Sequence, residues 1–326
     1  MKACASAPGK TILLGEHFVV YGEPAIAVAI DRRVQVTVEE HPKESIRIAS
    51  SLGAAGVFRG EAFRHISGGP YVRRTLEPVR ISAQSVLDRL GVKRGLDLMV
   101  ESTIPVAVGL GSSSATAVAT VAAVGKLFGA KLLEKDIVEL SLGAEEFVHG
   151  NPSGIDQSVS TYGGVLVYRR GEGVTKLDST PALSLVIGNT GQSRNTGKLV
   201  DSVRQRRARL PSIMDQLIRT AGDLAHKGVS ALNSCDLVEF GELMDIDHGL
   251  LIAAGVSIEA LDRLVYAAKH AGALGAKLTG AGGGGCIVAL CMPETRAMVA
   301  KAIRTAGGEP ILAEKVDMGV EAWIEE

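Results

Sequence analysis

Several features that mark common protein classes are missing from this 326-residue sequence. No stretch approaches the ~20 uninterrupted apolar residues that a membrane-spanning helix requires. The first residues, Met-Lys-Ala-Cys-Ala-Ser, show none of the apolar run of a secretory signal. The sequence therefore predicts a cytoplasmic protein that does not enter a membrane.

Cysteine is scarce, with residues only at positions 4, 235, 286 and 291. They form no Cys-x-x-Cys pair and have no histidine at the spacing of a zinc site. Cys286 and Cys291 fall on one predicted strand at an odd separation, which directs their side chains to opposite faces. We therefore expect reduced, buried cysteines and no disulfide.

An excess of either charge is also absent, since 35 basic residues balance 36 acidic ones and leave a net charge of −1. Such a chain has no broad positive field to attract nucleic acid or anionic lipid, which favours a small-molecule ligand. The one dense basic run comprises Arg204, Arg206, Arg207 and Arg209. We interpret it as a solvated helix face rather than a phosphate or RNA site, because charge runs on helices are usually exposed.

Two nucleotide-binding signatures are missing as well, the GxxxxGK[ST] loop and a clean GxGxxG. The sequence has instead a glycine- and serine-rich loop between a predicted strand at 95–102 and a predicted helix at 115–128. Its residues are Gly109, Leu110, Gly111, Ser112, Ser113, Ser114 and Ala115. Backbone N–H groups at a helix N-terminus can converge on an anion, so we predict a phosphate cradle. A serine-capped helix after a glycine turn is the alternative.

A second glycine-rich loop runs from Lys277 to Cys286 and includes four consecutive glycines at 282–285. Such a run costs conformational entropy, so a tight hairpin or a close backbone approach must require it. Together with the first loop, it predicts a wall against nucleotide phosphates, formed by Gly280, Ala281, Gly282 and Gly283. A plain hairpin bend is the alternative.

Charged residues stand among apolar ones near the N-terminus, where Lys10, Glu16 and His17 interrupt the segment 6–17. A charged group in such surroundings is costly unless it pairs or binds a ligand. These three residues are therefore candidate site residues. Surface residues that flank a β-hairpin are the alternative.

A helical pattern at 136–149 precedes a tight Asn-Pro-Ser-Gly turn. Glu145 aligns with apolar neighbours whereas Glu146 points away from them, so Glu145 is the acid expected to be buried and to need a partner or a metal. The turn would aim Asp156 by backbone constraint. A lone aspartate there would usually be a turn or cap residue. The apolar stripe of the helix comprises Ile137, Leu140, Ala144, Phe147 and Val148.

The organisation of the chain predicts two domains, 1–180 and 181–326, with the boundary in the turn-rich segment 171–181. The first ninety or so residues contain several short β-like runs, such as 25–30 and 34–39, which predict a β-rich start. Beyond the boundary, helices are predicted at 196–209, 213–226, 237–244 and 258–271, followed by the second glycine loop and a strand.

In combination, these elements resemble the GHMP small-molecule kinases. Three motifs of that family occur in order as Pro8-Gly9-Lys10, the 109–115 loop and the 277–286 loop. Within the family, the segments 6–22 and 149–156 match the members that phosphorylate mevalonate most closely. Galactokinases have Thr-Asp-Tyr after Gly-Glu-His, and homoserine kinases lack the aspartate that Asp156 matches.

The resemblance implies a fold, an activity and an assembly. The fold would be α+β, with an N-terminal domain similar to domain 2 of ribosomal protein S5, a ferredoxin-like C-terminal domain and the active site between them. The activity would be ATP-dependent, Mg²⁺-assisted phosphorylation of the C5 hydroxyl of mevalonate in isoprenoid biosynthesis. The assembly would be a homodimer.

The resemblance also implies roles for single residues. Asp156 would accept the proton of the C5 hydroxyl, and Lys10 would stabilise that aspartate and the developing negative charge. Ser113 and Glu145 would hold Mg²⁺ on the phosphates of an ATP bound to the 109–115 loop. The expected mevalonate contacts are Lys10, Glu16, His17, Ser153, Gly154, Asp156, Arg194 and Thr196.

Alternatives to this activity stay open at this point. A kinase for phosphomevalonate would need extra cations, for which Lys10 and Arg194 are the evident candidates, and a mevalonate 3-kinase would act on another hydroxyl. A nucleotide-binding regulator without catalysis is disfavoured by the joint presence of Lys10, Ser113, Glu145 and Asp156. Thr116 replaces a larger residue found in many relatives, which affects the expected pocket shape.

Overall fold

The computed structural model describes residues 1–105, 108–149, 154–193 and 195–325. Its strands are β1 (Lys2–Leu14), β2 (Ala25–His41), β3 (Ile46–Ser50), β4 (Ala55–Arg59), β5 (Ala62–Ser67), β6 (Gly95–Ser102), β7 (Val165–Arg169), β8 (Gly173–Leu177), β9 (Ser184–Asn189), β10 (Gly275–Thr279), β11 (Cys286–Cys291), β12 (Glu309–Glu314) and β13 (Glu321–Glu325). Its helices are α1 (Val72–Leu90), α2 (Ser112–Leu127), α3 (Glu134–His149), α4 (Ile155–Tyr162), α5 (Thr196–Arg209), α6 (Pro211–Asn233), α7 (Leu237–Ala254), α8 (Glu259–His270) and α9 (Arg296–Thr305).

The described strands form two sheets. The larger sheet has the order β13-β1-β2-β6-β3-β4-β5, and β7 and β8 extend it from β2. The smaller sheet is antiparallel, with the order β10-β11-β9-β12. Because helices pack against both sheets, the mixed α+β class expected from the sequence is confirmed.

Strand β2 shows how the large sheet positions the helices that matter for the site. Its second half alternates buried valines, such as Val36, with outward polar residues, such as Gln35, as a sheet with one solvated face requires. Its first half, 25–30, is buried on both faces. One face there carries Ala27, which packs in a small cluster with Ile155 and Val159 of α4. The beginning of α4 therefore lies over β1 and β2.

The first ninety residues are rich in strands, as predicted, but they also contain helix α1, which the sequence did not indicate. Pro78 lies inside this helix, although proline lacks the N–H that the helical ladder needs and usually interrupts it. The buried side chains of Leu76, Val79 and Ala83 join the main core beneath the helix. Burial of this apolar face offsets the missing hydrogen bond, so the helix continues through the proline.

Other predicted elements agree with the structure to different degrees. Strand β6 and helix α5 occupy the predicted ranges. Helix α7 continues ten residues beyond the predicted end at 244, because it stops only where Gly255 adopts a left-handed conformation with φ +80°. Helix α4 was not expected, since the sequence indicated only a turn before Asp156.

The predicted boundary near residue 180 falls between β8 of the large sheet and β9 of the small one. The last strand, β13, pairs antiparallel with β1 and so returns the chain to the large sheet. Division of the chain into 1–180 and 181–326 stays a prediction.

The predictions for cysteine and for the arginine run hold only in part. The four cysteines lie in the described ranges and form no disulfide, but Cys235 is exposed while the other three are buried. Arg204 is exposed as expected. Arg206, in contrast, donates to the carbonyl of Ala253 (3.1 Å), and Arg207 pairs with Asp215 and stacks over Tyr21.

Two further observations concern the surface. Among the described residues, no helix is both long and apolar enough to cross a membrane. A groove of about 570 Å³ lies on the open face of the large sheet, lined by residues such as Gln35, Thr37 and Met99. It contains none of the predicted site residues, so its size does not make it the candidate active site.

Candidate active site

Lys10 and Asp156 meet although they are far apart in sequence. Lys10 lies in β1 and Asp156 in the first turn of α4, which follows the left-handed Gly154 (φ +79°). The Lys10 Nζ is 2.9 Å from the Asp156 Oδ1, and the two side chains are 6% and 23% exposed. An ion pair with one buried and one partly exposed member leaves the aspartate accessible to a ligand. The structure therefore brings the predicted base and its predicted lysine together.

The glycine- and serine-rich loop packs directly on Lys10. The backbone N–H of Lys10 donates to the carbonyl of Leu110 (2.9 Å). A Cβ atom at Gly111 would stand 2.9 Å from the Lys10 Cγ, and one at Gly9 would stand 2.8 Å from the Leu110 oxygen. Only glycine allows the loop and β1 to approach this closely. The ion pair consequently lies beside the loop.

Helix α2 begins at Ser112, immediately after this loop. Its N-cap is Gly111 in a left-handed conformation (φ +73°), so the cap has no side chain to occupy the first amides of the helix. Ser112 and Ser113 are half-buried, whereas Ser114 is buried. The loop can thus present backbone N–H groups and the hydroxyl of Ser113 to an anion or its counter-ion.

Glu145 on α3 is buried and Glu146 is exposed, as the helical pattern predicted. The Glu145 Oε2 is buried and has no hydrogen-bond partner among the described residues. Burial raises the pKa of Glu145 to about 7, and the negative charge of Asp156 adds to the effect. Glu145 therefore belongs to the same electrostatic cluster as Lys10 and Asp156. Phe147, expected in the apolar stripe, is 47% exposed.

Glu16 and His17 follow β1 and contact the other half of the chain. Glu16 is 2% exposed, and its Oε1 forms an ion pair with the Lys277 Nζ at 2.5 Å. Burial raises the pKa of Glu16 to about 7 in spite of this lysine. His17 is 7% exposed, and its Nε2 donates to the carbonyl of Ala281 (2.8 Å). Both side chains are thus directed at the second glycine loop and the strand before it.

The second glycine loop connects β10 to β11, and the close backbone approach predicted for it is confirmed. A Cβ atom at Gly282 (φ +74°) would collide with the carbonyl oxygen of Val256. One at Gly284 (φ +133°) would stand 2.7 Å from the carbonyl oxygen of Gln192, and one at Gly283 would meet Leu199 of α5. The loop is therefore both a hairpin and a tightly packed wall.

The remaining predicted contacts divide into two groups. Gly154 caps α4 next to Asp156, and Thr196 is exposed in the first turn of α5. Ser153 and Arg194 lie outside the described residues.

A buried charge cluster next to Glu16 was not predicted from the sequence. Lys277 is fully buried, and its Nζ lies near carboxylates of both Glu16 and Asp247. Lys277 in β10, like Lys10 in β1, is a charged residue among apolar neighbours and therefore needs a partner, and this pattern could have indicated it. A groove of about 270 Å³ next to Ser113 was not predicted either, and Tyr71, Arg74 and Phe147 help to line it.

Comparison with known proteins places these features in a family. Residues 71–164 match the family model described as GHMP kinases N terminal domain, and residues 229–308 match GHMP kinases C terminal. The chain is 42% identical over 323 residues to a mevalonate kinase of Thermococcus sibiricus, covering 96% of each chain. It is 43% identical over 327 residues to a mevalonate kinase of Pyrococcus furiosus, again covering 96% of each.

Solved structures of mevalonate kinases also resemble this chain. The chain is similar to L. major mevalonate kinase in complex with R-mevalonate, with a TM-score of 0.84, 28% identity and 96% of both chains covered. It is also similar to Methanococcus jannaschii mevalonate kinase, with a TM-score of 0.82, 25% identity, and 96% and 98% coverage.

Proposed function

Since this chain belongs to the GHMP kinase family, we propose that it transfers the γ-phosphoryl group of ATP to the C5 hydroxyl of mevalonate, giving 5-phosphomevalonate and ADP. Membership confirms the family resemblance and the two-domain fold expected from the sequence. The observation that carries the proposal is the 2.9 Å ion pair of Lys10 and Asp156 beside the 109–115 loop.

Asp156 is the proposed general base. An alcohol is a weak acid, and a positioned carboxylate that takes its proton contributes typically ~10²- to 10⁴-fold to the rate. The Asp156 side chain is 23% exposed and can face a substrate, whereas that of Lys10, at 6%, is held by its surroundings. Lys10 fixes the orientation of the carboxylate and stabilises negative charge that develops on the transferring group.

The two glycine loops are the proposed contacts of the nucleotide phosphates. The N-terminus of α2 offers backbone N–H groups and the positive end of the helix dipole to the phosphates. The wall at 280–283 would limit how far the phosphates can move, because its backbone is packed against Val256 and α5. Phosphoryl transfer depends on such alignment more than on covalent chemistry.

Ser113 and Glu145 fit the requirements of Mg²⁺. The buried Oε2 of Glu145 has no hydrogen-bond partner within the described ranges and is an oxygen that a cation would satisfy, and Ser113 provides a hydroxyl at the start of α2. Mg²⁺ is usually held by one or two carboxylates together with substrate phosphates, so a large cluster of acids is not needed. When bound, the ion would neutralise charge on the β- and γ-phosphates.

Recognition of mevalonate is assigned to the segments around the ion pair. His17, Gly154 and Thr196 remain proposed contacts, together with Ser153 and Arg194. The Glu16 carboxylate, in contrast, is directed at Lys277.

Phosphomevalonate is a poorer candidate substrate, for an electrostatic reason. The phosphate of that substrate would need cations in addition to Lys10 and Arg194, and Lys277 is a further lysine next to the predicted substrate residue Glu16. Its charge is already compensated by Glu16 and Asp247, and its side chain is 0% exposed. A catalytically inactive regulator is disfavoured because it would have no use for the Lys10–Asp156 pair.

A substrate panel tests the proposal. ADP release is measured with the purified chain, ATP and Mg²⁺, using mevalonate, phosphomevalonate, homoserine and galactose in parallel. We expect turnover with mevalonate to exceed that with the other three compounds. Faster turnover with any other member of the panel, or none with mevalonate, would refute the assignment.

We also propose an assembly, a location and a range of partners, on the basis of the family to which the chain belongs. The expected assembly is a homodimer in the cytoplasm, with no nucleic-acid or membrane partner, and the near-neutral charge of the chain supports the last point. Sedimentation of the purified protein at micromolar concentration checks the assembly, and a monomer would contradict it.

A further inference from the structure

A buried charge cluster links the two halves of the chain at the turn that follows β1. The Lys277 Nζ lies 2.5 Å from the Glu16 Oε1 and 3.4 Å from the Asp247 Oδ2, and it also donates to the carbonyl of Leu278 (2.8 Å). The three charged side chains are at most 1% exposed. We name Glu16, Lys277 and Asp247 the interdomain latch.

The latch joins elements that have no sequence proximity. Glu16 follows β1 of the large sheet, whereas Lys277 lies in β10 of the small sheet and Asp247 on α7. Asp247 also accepts a hydrogen bond from the backbone N–H of Gly15 (3.3 Å). The turn that follows β1 is therefore held by one carboxylate of its own and one from the other half of the chain.

Neighbouring contacts extend the same connection in both directions. The Thr279 hydroxyl accepts from the N–H of Ile12 (3.2 Å) and lies 3.0 Å from the Ile12 carbonyl oxygen. On the other side, His17 donates to Ala281 in the glycine wall. The segment 12–17 is thus bonded to β10, the glycine wall and α7, directly after Lys10.

His17 adopts a backbone conformation that needs such support. Its φ is 63° and its ψ is −43°, a region that residues with a side chain seldom occupy. Conformations of this kind persist only where surrounding contacts enforce them, and they concentrate at functional sites. Glu16 immediately precedes His17. The ion pair between Glu16 and Lys277 therefore restrains the backbone that leads into the strained conformation of His17.

We propose that Lys277 and Asp247 are positioning residues for the kinase reaction, which hold Glu16 and thereby fix His17 in its strained conformation against the glycine wall. The inference rests on the proposed function, because His17 is taken to contact mevalonate. It assigns Glu16 to the latch rather than to direct contact with substrate. Loss of the latch would misplace the mevalonate side of the site more than the nucleotide side.

Three variants test the latch in the full-length protein: Lys277→Met, Asp247→Asn and Glu16→Gln. We expect each to raise the KM for mevalonate on the order of 10- to 100-fold, because small displacements of positioning groups have effects of that size. The KM for ATP should change less than about twofold. The double variant Lys277→Met/Glu16→Gln should be no worse than the more impaired single variant, since both changes open the same latch.

Hydrogen–deuterium exchange gives a readout that does not depend on substrate. Without ligands, peptides that cover residues 11–17 should exchange faster in Lys277→Met and Asp247→Asn than in the parent protein. A matched control is Leu261→Ala, which removes a fully buried side chain of α8 in the same half of the chain. This control should lower the melting temperature and leave the mevalonate KM and the exchange of 11–17 unchanged.

The outcomes separate the latch from the proposed function. If the parent does not phosphorylate mevalonate but the variants accelerate exchange of 11–17, the latch stands and the proposed substrate is wrong. If exchange and mevalonate KM are unchanged in the variants, or if the control shifts both as much, the latch has no positioning role. Should Lys277→Met fail to fold, Asp247→Asn decides the matter, because the asparagine oxygen can still accept from Gly15. Additive effects in the double variant would also overturn the inference.

Discussion

At the scale of single residues, Lys10 shows how a charge can be predicted to matter from its neighbours. It interrupts an apolar segment, is 5% exposed in the folded chain, and is compensated by Asp156. The sequence could indicate that Lys10 needs a partner, because an isolated buried ammonium is costly. It could not select Asp156 as that partner without the family resemblance, since the pair forms only through the packing of α4 on β1.

Glu145 is the proposed carboxylate ligand of Mg²⁺. Glu145→Gln removes the buried carboxylate charge but keeps the shape of the side chain. The concentration of Mg²⁺ that gives half-maximal activity should rise on the order of tenfold or more, since loss of a ligand weakens a metal site at least as much as loss of its outer partners. The measurement is the rate of ADP formation across a Mg²⁺ titration.

Glu146→Gln is the matched control for this titration, because Glu146 is the exposed neighbour on the same helix. It should leave the Mg²⁺ dependence unchanged. An unchanged dependence in Glu145→Gln, combined with lower stability, would identify Glu145 as a structural acid.

His248 predicts acid sensitivity of the fold. Burial lowers its pKa to about 4, although Asp262 opposes the shift, and its Nδ1 accepts from the N–H of Leu278 (3.4 Å). The folded state binds a proton at His248 less readily than the unfolded state does, so the neutral imidazole makes its full contribution to stability above pH 6.5. The free energy of unfolding should fall by roughly 2–3 kcal/mol as the pH drops to about 4.5.

Urea unfolding at about pH 7.5 and pH 4.5 measures this loss in the parent and in His248→Gln. Between the two pH values, the free energy of unfolding of His248→Gln should fall by roughly 2–3 kcal/mol less than that of the parent. His226→Gln, at an exposed position on α6, is the control and should behave like the parent. Equal pH dependence in parent and His248→Gln would contradict the assignment.

Among the elements, the second glycine loop is the segment whose close backbone packing was most directly predicted by its sequence. Gly282 combines a left-handed φ of +74° with a backbone contact to Val256. In Gly282→Ala, the left-handed conformation costs roughly 1–2 kcal/mol and the added methyl group also pushes the loop from Val256. We expect a raised KM for ATP, measured by steady-state kinetics at saturating mevalonate.

Gly171→Ala separates the two effects. Gly171 has a similar φ of +89°, but an added Cβ there would meet no atom within 4 Å. The control should therefore lose comparable stability from conformation and keep the KM for ATP. A rise in that KM of equal size in both variants would show that general destabilisation, and not the wall, is responsible.

Helices and strands of this chain differ in how well they can be predicted from the sequence. Strand β6 and helix α5 follow from alternation and from turn residues at their ends. Helix α1 does not, because Pro78 argues locally against a helix that burial of Leu76 and Val79 then enforces. Helix α4 has only eight residues and begins after the left-handed Gly154, so local pattern cannot distinguish its first turn from a loop.

At the scale of the whole molecule, the contacts that matter most are those between distant parts of the chain. Glu16 and Lys277 are 261 positions apart, and β13 returns to pair with β1. No periodicity in the sequence reports such pairs, because they depend on how two sheets are placed relative to each other. The family resemblance indicated where the glycine loops and the ion pair belong, whereas the latch became visible only in the folded chain.

The fold as a whole places the proposed base Asp156 and its partner Lys10 beside the loop that leads into α2. Turnover of Asp156→Asn with mevalonate, measured beside its affinity for ATP, tests this arrangement most directly. We expect a folded variant with parental ATP affinity and a turnover reduced ~10²- to 10⁴-fold. Turnover within about tenfold of the parent would contradict it.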